Sequence, residues 1–329
     1  MDDRCGRIKI FQRNLSACLR AVRKGKNTMP SILWTGKLSL SMKLMVNASS
    51  ILAWINGSTK DTNLMKQRVK QGYNGDFTDH VTRYDELGLE LQIKAARAQL
   101  EGLDVVGKRI LDVGAGTGAL SFIMLEKGAA RVTCGDISEY MLSQARKKAA
   151  GKGYGEDKID FQTLDAESLP FKENSFDIVM TGMTLGLLPD QLQAVKEMVR
   201  VVKPGGIVSV GAHGPEHYWE PTDAFFRAIS KRYLLGYRLE FWPRSEKEIR
   251  RLMMKAGLSN IHVKREIWRT QYPDGGGAFD FFTAISSSWW YEKFPKEKRS
   301  QDYQKVRNYF IKNHKNQVTD DIILAYGWK

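Results

Sequence analysis

The chain has 329 residues, 42% of them hydrophobic, and a formal net charge of +14, enough for one large domain or one domain with an appendage. The charge is uneven: residues 1–60 hold eleven Lys and Arg against Asp2 and Asp3, which leaves the other 269 residues at +5. Three cysteines (Cys5, Cys18 and Cys134) without C-x-x-C spacing and five scattered histidines exclude a disulfide framework and disfavour a metal site. No apolar run reaches the ~18 to 20 residues of a membrane-spanning helix.

Residues 1–60 read as a basic arm set apart from a domain over 61–329. Its composition fits a leader, a transit peptide or an interfacial segment. Tryptophans and leucines interspersed with lysines, from Ile32 to Ile55, suit contact with an anionic membrane surface. The arm has little aromatic interleaving of the kind that stacks bases, which disfavours a nucleic-acid partner. The expected location is the cytoplasm, with peripheral membrane attachment, or an organelle if the arm is a transit peptide.

From Leu87 the spacing turns helical, with Leu87, Leu91, Ala95 and Ala98 on one face. Strands and helices then alternate. "KRILDVG" predicts a strand and "ALSFIMLEKG" a helix, followed by the strand "RVTCGD" and a helix capped by Ser138. "IDFQTLD" and "FDIVMTG" predict the third and fourth strands. A helix carrying Leu192, Val195, Val199 and Val202 stops at "KPGG", before the strand "GIVSVGA". Ser245 and Glu248 form a capping box, and "IHVKREIW" and "DIILAYGW" predict two further strands. Strict alternation predicts an α/β, Rossmann-like, mostly parallel sheet with helices on both faces. Residues 212–243 and 270–318 break the alternation as aromatic-rich insertions, expected to cap an acceptor pocket with Phe281, Phe282, Trp289 and Trp290.

"LDVGAGTGAL" at 111–120 decides what the domain holds. Gly114, Gly116 and Ala119 satisfy a dinucleotide fingerprint, while Asp112 with Gly114, Gly116 and Gly118 forms D-x-G-x-G-x-G. Three acids fall at predicted strand ends: Asp112, Asp136, which lies 24 positions later, and Asp165. A pyrophosphate on a helix N-terminus is poorly served by a carboxylate beside it. A sulfonium bearing an amino group is attracted by one. Asp136 is placed for two ribose hydroxyls and Asp165 for an adenine amino group, so S-adenosylmethionine is the ligand that fits.

"ILDVGAGTGALS", "VTCGDISEYMLSQARKKA", "LDAESLPFKENSFDIVMTGMTLGLLPD" and "EMVRVVKPGG" follow in an order and spacing that resembles class I S-adenosylmethionine-dependent methyltransferases. The likeness is to the small-molecule group that includes ubiquinone and menaquinone biosynthesis C-methyltransferases, over roughly residues 80–265 and the terminal strand. It implies a seven-stranded sheet with the last strand antiparallel. It also implies that Gly114, Ala115 and Gly116 line the methionine end and that Asp112 holds its amino group. Asp136 takes the ribose, Ile137 lies against the adenine, and Asp165 and Ala166 meet the adenine edge. Many relatives carry a histidine where this chain reads "TLGLLPD", and no N-P-P-Y tetrad follows "FDIVM". The expected activity is methyl transfer to a small, apolar or lipid-like acceptor. The alternatives are a non-catalytic S-adenosylmethionine-binding partner protein and a nucleic-acid methyltransferase. "GAHGPEHYWE" supplies His213 and His217 as candidate bases, and "DHVTRYDELG" supplies His80 and Tyr84 to close over the donor.

Overall fold

The computed structural model describes residue 66 and residues 78–228, 245–286 and 299–329. The basic arm, the later part of the 212–243 insertion and the Trp289–Trp290 pair lie outside the described residues.

Seven strands form one sheet: β1 (Arg109–Val113), β2 (Arg131–Asp136), β3 (Ile159–Thr163), β4 (Phe176–Thr181), β5 (Val202–His213), β6 (Ser259–Gln271) and β7 (Gln317–Trp328). Their order is β3-β2-β1-β4-β5-β7-β6. The first five strands pair in parallel, and β7 runs antiparallel to both β5 and β6. This is the expected Rossmann-like architecture. Strand order reverses beside β1, which has β2 on one side and β4 on the other, so the crevice beyond their carboxyl ends is where a ligand binds.

Eight helices are described: α1 (Thr78–Gln99), α2 (Ala119–Glu126), α3 (Glu139–Gly151), α4 (Gln191–Val201), α5 (Trp219–Ala228), α6 (Glu246–Lys255), α7 (Gly275–Ser286) and α8 (Arg299–Lys312). The Ser138 side chain accepts the Met141 N–H to start α3, and Ser245 with Glu248 completes the capping box of α6. Each such cap contributes about 1 kcal/mol. The alternation along β1 divides the core. Leu111 and Val113 join Val208, Val210, Met198, Ile249 and Ile323 on one face, while Ile110 joins Leu120, Met124 and Leu142 on the other.

Three expectations change. The sequence predicts that Pro204 and Gly205 separate helix from strand, yet β5 begins at Val202, directly after α4. The ladder jumps from Phe176↔Val202 to Ile178↔Ile207, absorbing "KPGG" as a bulge in which Gly205 takes φ +74°. Leu87, which the spacing places on one helix face with Leu91, Ala95 and Ala98, is exposed, although Ala95 on the same face is buried. The largest change concerns the insertions. Phe225, Phe279, Phe281, Phe282, Val306 and Phe310 pack on one another in a satellite core, with Phe279 and Phe310 edge to face at 5.3 Å. Each buried phenylalanine contributes about 1.5 to 3 kcal/mol, so these rings hold α5, α7 and α8 together instead of lining a pocket. Of the described residues of α7 and α8, Ile285 alone reaches the cavity.

Candidate active site

Beyond the carboxyl ends of β1, β2 and β4 lies a cavity of about 200 Å³. After β1 the backbone turns through Gly114 (φ 75°) and Gly116 (φ 55°), left-handed values that glycine adopts without strain. A Cβ on Gly114 would lie 2.4 Å from Thr184 Oγ1, whose hydroxyl donates to the Gly114 carbonyl at 3.1 Å. A Cβ on Gly116 would meet no atom within 4 Å. Gly116 lines the cavity, so the missing side chain leaves room for a ligand against bare backbone.

Asp112 is one residue out of phase with Leu111 and Val113, so it faces α2. There the Ser121 hydroxyl donates to its Oδ2 at 2.6 Å. It is 1% exposed. Burial pushes its carboxyl up to about 7, against the lowering effect of the Ser121 bond and with a smaller upward push from the Asp136 charge. At the end of β2 both oxygens of Asp136 accept backbone N–H bonds, Oδ2 from Gly116 at 2.9 Å and Oδ1 from Ser138 at 2.8 Å. Burial raises this carboxyl too, and the Ser138, Gly116 and Ile137 amides oppose the shift. Each oxygen keeps a lone pair for a further donor.

Ala115, Ile137, Asp165 and Ala166 also line the cavity, so every cofactor residue expected from the sequence is brought to one place. Asp165 is already engaged. Its Oδ1 accepts the Glu167 amide, and the Lys66 ammonium sits 2.6 Å from its Oδ2 and 2.7 Å from Glu167. Lys66 thus shares Asp165 Oδ2 with any ligand donor that approaches it. Sequence spacing carried no signal for that contact.

Helix α1 walls the cavity from above with Tyr84, Leu91, Gln92 and Ala95. It is tied down through Asp85, whose Oδ1 accepts the Thr117 hydroxyl at 2.7 Å and whose Oδ2 pairs with Lys148 at 2.7 Å. Of the two residues expected to close over the donor, Tyr84 lines the cavity and His80 falls in the first turn of α1.

On the far wall His213 and His217 stand with ring centroids 4.4 Å apart, and His217 lies 3.8 Å from the Tyr218 ring. The Asp321 amide donates to His217 Nδ1 at 3.3 Å, which puts the imidazole proton on Nε2. Burial pulls His213 down to about 4 and His217 well below its usual value. Both are therefore neutral at physiological pH and weak proton acceptors. Next to them, Arg265 grips the buried Asp321 through Nε and one terminal nitrogen, both at 2.7 Å. Asp321 Oδ2 also accepts the Glu216 amide at 2.6 Å. Leu187, Leu188, Ile285 and Ile322 complete an apolar side. Tyr218, Ile322 and the Arg265–Asp321 pair were not foreseen from the sequence. The signal available was two adjacent acids, Asp320 and Asp321, inside an otherwise apolar strand.

The chain matches a family described as a methyltransferase domain over residues 111–210. A demethylmenaquinone methyltransferase of Bacillus pumilus (strain SAFR-032) is 30% identical over 220 residues, covering 60% of this chain and 92% of the relative. The ubiquinone/menaquinone biosynthesis C-methyltransferase UbiE of Hahella chejuensis (strain KCTC 2396) is 41% identical over 102 residues, covering 30% of this chain and 41% of that relative. With this and other such relatives the chain spans about two fifths of the relative's length. Among solved structures, the YcgJ protein of Bacillus subtilis superposes with a TM-score of 0.48 at 22% identity, covering 73% of this chain and 97% of that one. The chain belongs to the class I S-adenosylmethionine-dependent methyltransferases and is similar, within them, to the quinone-biosynthesis C-methyltransferases.

Proposed function

We propose that this protein transfers a methyl group from S-adenosylmethionine to a small, apolar acceptor of the quinol class. One observation carries the reading: the glycine loop with its carboxylates and an apolar wall of Leu187, Leu188, Ile285 and Ile322 share a single cavity. The names of the relatives, which include demethylmenaquinone methyltransferases, support the acceptor class.

S-adenosylmethionine, when bound, supplies an electrophilic methyl group on a sulfonium. The residues here fit it. Gly114 and Gly116 let backbone approach the methionine portion, Asp112 faces its ammonium, and Asp136 offers two oxygens to the ribose. The work of the protein is then alignment and exclusion of water, since a methyl displacement needs donor and nucleophile in line. Neutral His213 and His217 form a polar wall that puts no positive charge beside the sulfonium.

Radiolabelled donor incubated with 1,4-dihydroxynaphthalene under anaerobic conditions tests this. Label should appear in a methylated naphthoquinol. Ile285→Asp, which puts a charge on the apolar wall, should raise the acceptor KM about tenfold or more at unchanged donor affinity. Donor binding without label transfer to any quinol would overturn the reading.

Asp112 gives donor binding a pH dependence of definite sign. Its carboxyl is raised to about 7 by burial, so below that pH it is neutral and offers the ammonium no charge. Donor affinity should therefore rise as pH climbs towards neutrality, with a limiting slope of about tenfold per unit. Adenosine, which lacks the amino group, should show no such slope in calorimetry. Parallel profiles for the two ligands would remove Asp112 from this role.

A further inference from the structure

Asp320 lies on β7, one residue out of phase with Asp321, so it faces α1 and the cavity side of the sheet together with Ile322. It is 1% exposed, and Asp320 Oδ1 has no hydrogen-bond partner among the described residues. The Tyr218 hydroxyl faces the Asp320 carboxylate. Tyr218 itself lines the cavity beside His217 and Ile322. Its backbone is held at φ 50°, in the left-handed region that a tyrosine rarely adopts. The strain is sustained by the Tyr218 amide, which donates to the Thr319 carbonyl at 2.8 Å, and by the edge-on Phe281 and Phe282 rings. A buried carboxylate with an open lone pair, behind a strained tyrosine on a cavity wall, goes beyond what packing requires.

We propose that Tyr218 and Asp320 form a proton relay that takes up the proton of a hydroxyl group on the acceptor. This rests on the methyl-transfer reading above and names the residues that activate the nucleophile. The acceptor O–H bond breaks as a new O–H bond forms on Tyr218, and the proton that Tyr218 held passes to Asp320. The electron pair left on the acceptor oxygen pushes into its ring, so that the neighbouring ring carbon forms the bond to the methyl carbon. That carbon then releases its hydrogen as a proton to solvent, and the oxygen regains a proton from solvent, which restores the aromatic quinol. The carbon–sulfur bond breaks with its pair remaining on sulfur. Asp320 loses its proton to solvent once the products leave. Tyr218 is the residue in contact with the acceptor, and Asp320 is a positioning residue that acts through it.

The surroundings suit Asp320 to this task. Burial lifts its carboxyl to about 7; the Tyr218 hydroxyl and the Lys94 charge on α1 oppose the shift, and Glu220 on α5 adds to it. Tyr84 on α1 and Tyr272 after β6 face Tyr218, and Glu90 of α1 faces Tyr272. Opposite Asp320 in the β6–β7 register stands Trp268, with Lys94 Nζ 4.5 Å from its ring centre. Below neutrality Asp320 is protonated and cannot receive a proton. Above it the carboxylate is ready to accept.

Two near-isosteric variants test the pair, each with two readouts. The first is the pH profile of methyl transfer to 1,4-dihydroxynaphthalene. For the wild type, kcat should rise through about pH 7, and in Asp320→Asn it should fall at least tenfold and lose that limb. The second, independent of turnover, is calorimetric binding of 2-naphthol and of naphthalene to protein loaded with S-adenosylhomocysteine. The wild type should prefer 2-naphthol, and Tyr218→Phe should reduce the preference by about tenfold. If both variants keep the wild-type profile and the wild-type preference, the relay is refuted. Should Asp320→Asn fail to fold, Tyr218→Phe decides alone. A wild type that prefers 2-naphthol yet transfers no methyl group sinks the methyl-transfer reading, and with it catalysis by the relay, but leaves hydroxyl recognition standing.

Discussion

Asp136→Ala is expected to weaken binding of S-adenosylmethionine and of its demethylated product by about 2 to 4 kcal/mol, one and a half to three powers of ten. The carboxylate is oriented before any ligand arrives, because Gly116 and Ser138 amides hold one oxygen each. The free lone pairs can therefore accept two ribose hydroxyls at little entropic cost. Truncation removes both charge-assisted bonds and also releases the Gly116 amide, loosening the glycine loop. A secondary effect has the opposite sense. The Asp136 charge helps to raise Asp112, so its loss should shift the pH dependence of donor binding towards acid. Calorimetry with S-adenosylhomocysteine measures both. Unchanged affinity in this variant, or tight binding of NAD by the wild type, would overturn the cofactor assignment.

Arg265→Ala is expected to cost about 3 to 5 kcal/mol of folding stability, read as a fall in the urea midpoint. Asp321 is fully buried, and its two bonds from the guanidinium are its only charged compensation among the described residues. Asp321 also reaches the turn that carries the site histidines. It accepts the Glu216 amide, and a Cβ on Gly214 would fall 2.1 Å from its Oδ1. Removing Arg265 leaves a carboxylate stranded between β5 and β6, with the Glu216 amide as its remaining donor among the described residues. Replacing both partners by apolar residues, Arg265→Met with Asp321→Leu, should recover much of the loss. A single variant that unfolds within about 1 kcal/mol of the wild type would show that water or a neighbour compensates the charge.

The donor half of the site was legible because its chemistry is local. Asp112, Gly114 and Gly116 lie within five consecutive residues, and strand alternation alone carries Asp136 and Asp165 to the same edge of the sheet. The opposite half of the cavity was not, since its wall is assembled from α1, β5, β7 and α7, elements separated by as many as 200 residues and more. Periodicity ranks a residue by polarity and spacing, and it cannot say which of two apolar neighbours meets a cavity. Hence Phe281 and Phe282 were expected there, whereas Ile285, one turn further along the same helix, is the residue that arrives. The "KPGG" segment failed for a different reason. Proline and glycine mark the end of a helix equally well as a bulge within a strand, and pairing with Phe176 and Ile178 settles between them. The adjacent acids of β7 were visible as anomalies. Their meaning depended on Arg265 and Tyr218, which the fold alone brings to them.

The position of β7 has a consequence for how this molecule comes into being. Because β7 is inserted between β5 and β6, β5 has only β4 beside it and β6 has no partner in the sheet until residues 317–328 have been made. Some hundred residues separate the end of β5 from the start of β7, roughly ten seconds of synthesis at about 5 to 20 residues per second. Throughout that interval the nascent chain carries an open edge on β5, rich in valine and isoleucine, of the kind that recruits foreign strands. The Asp320–Asp321 pair arrives with β7, so this wall of the cavity and the closing of the sheet are completed by the same stretch of chain.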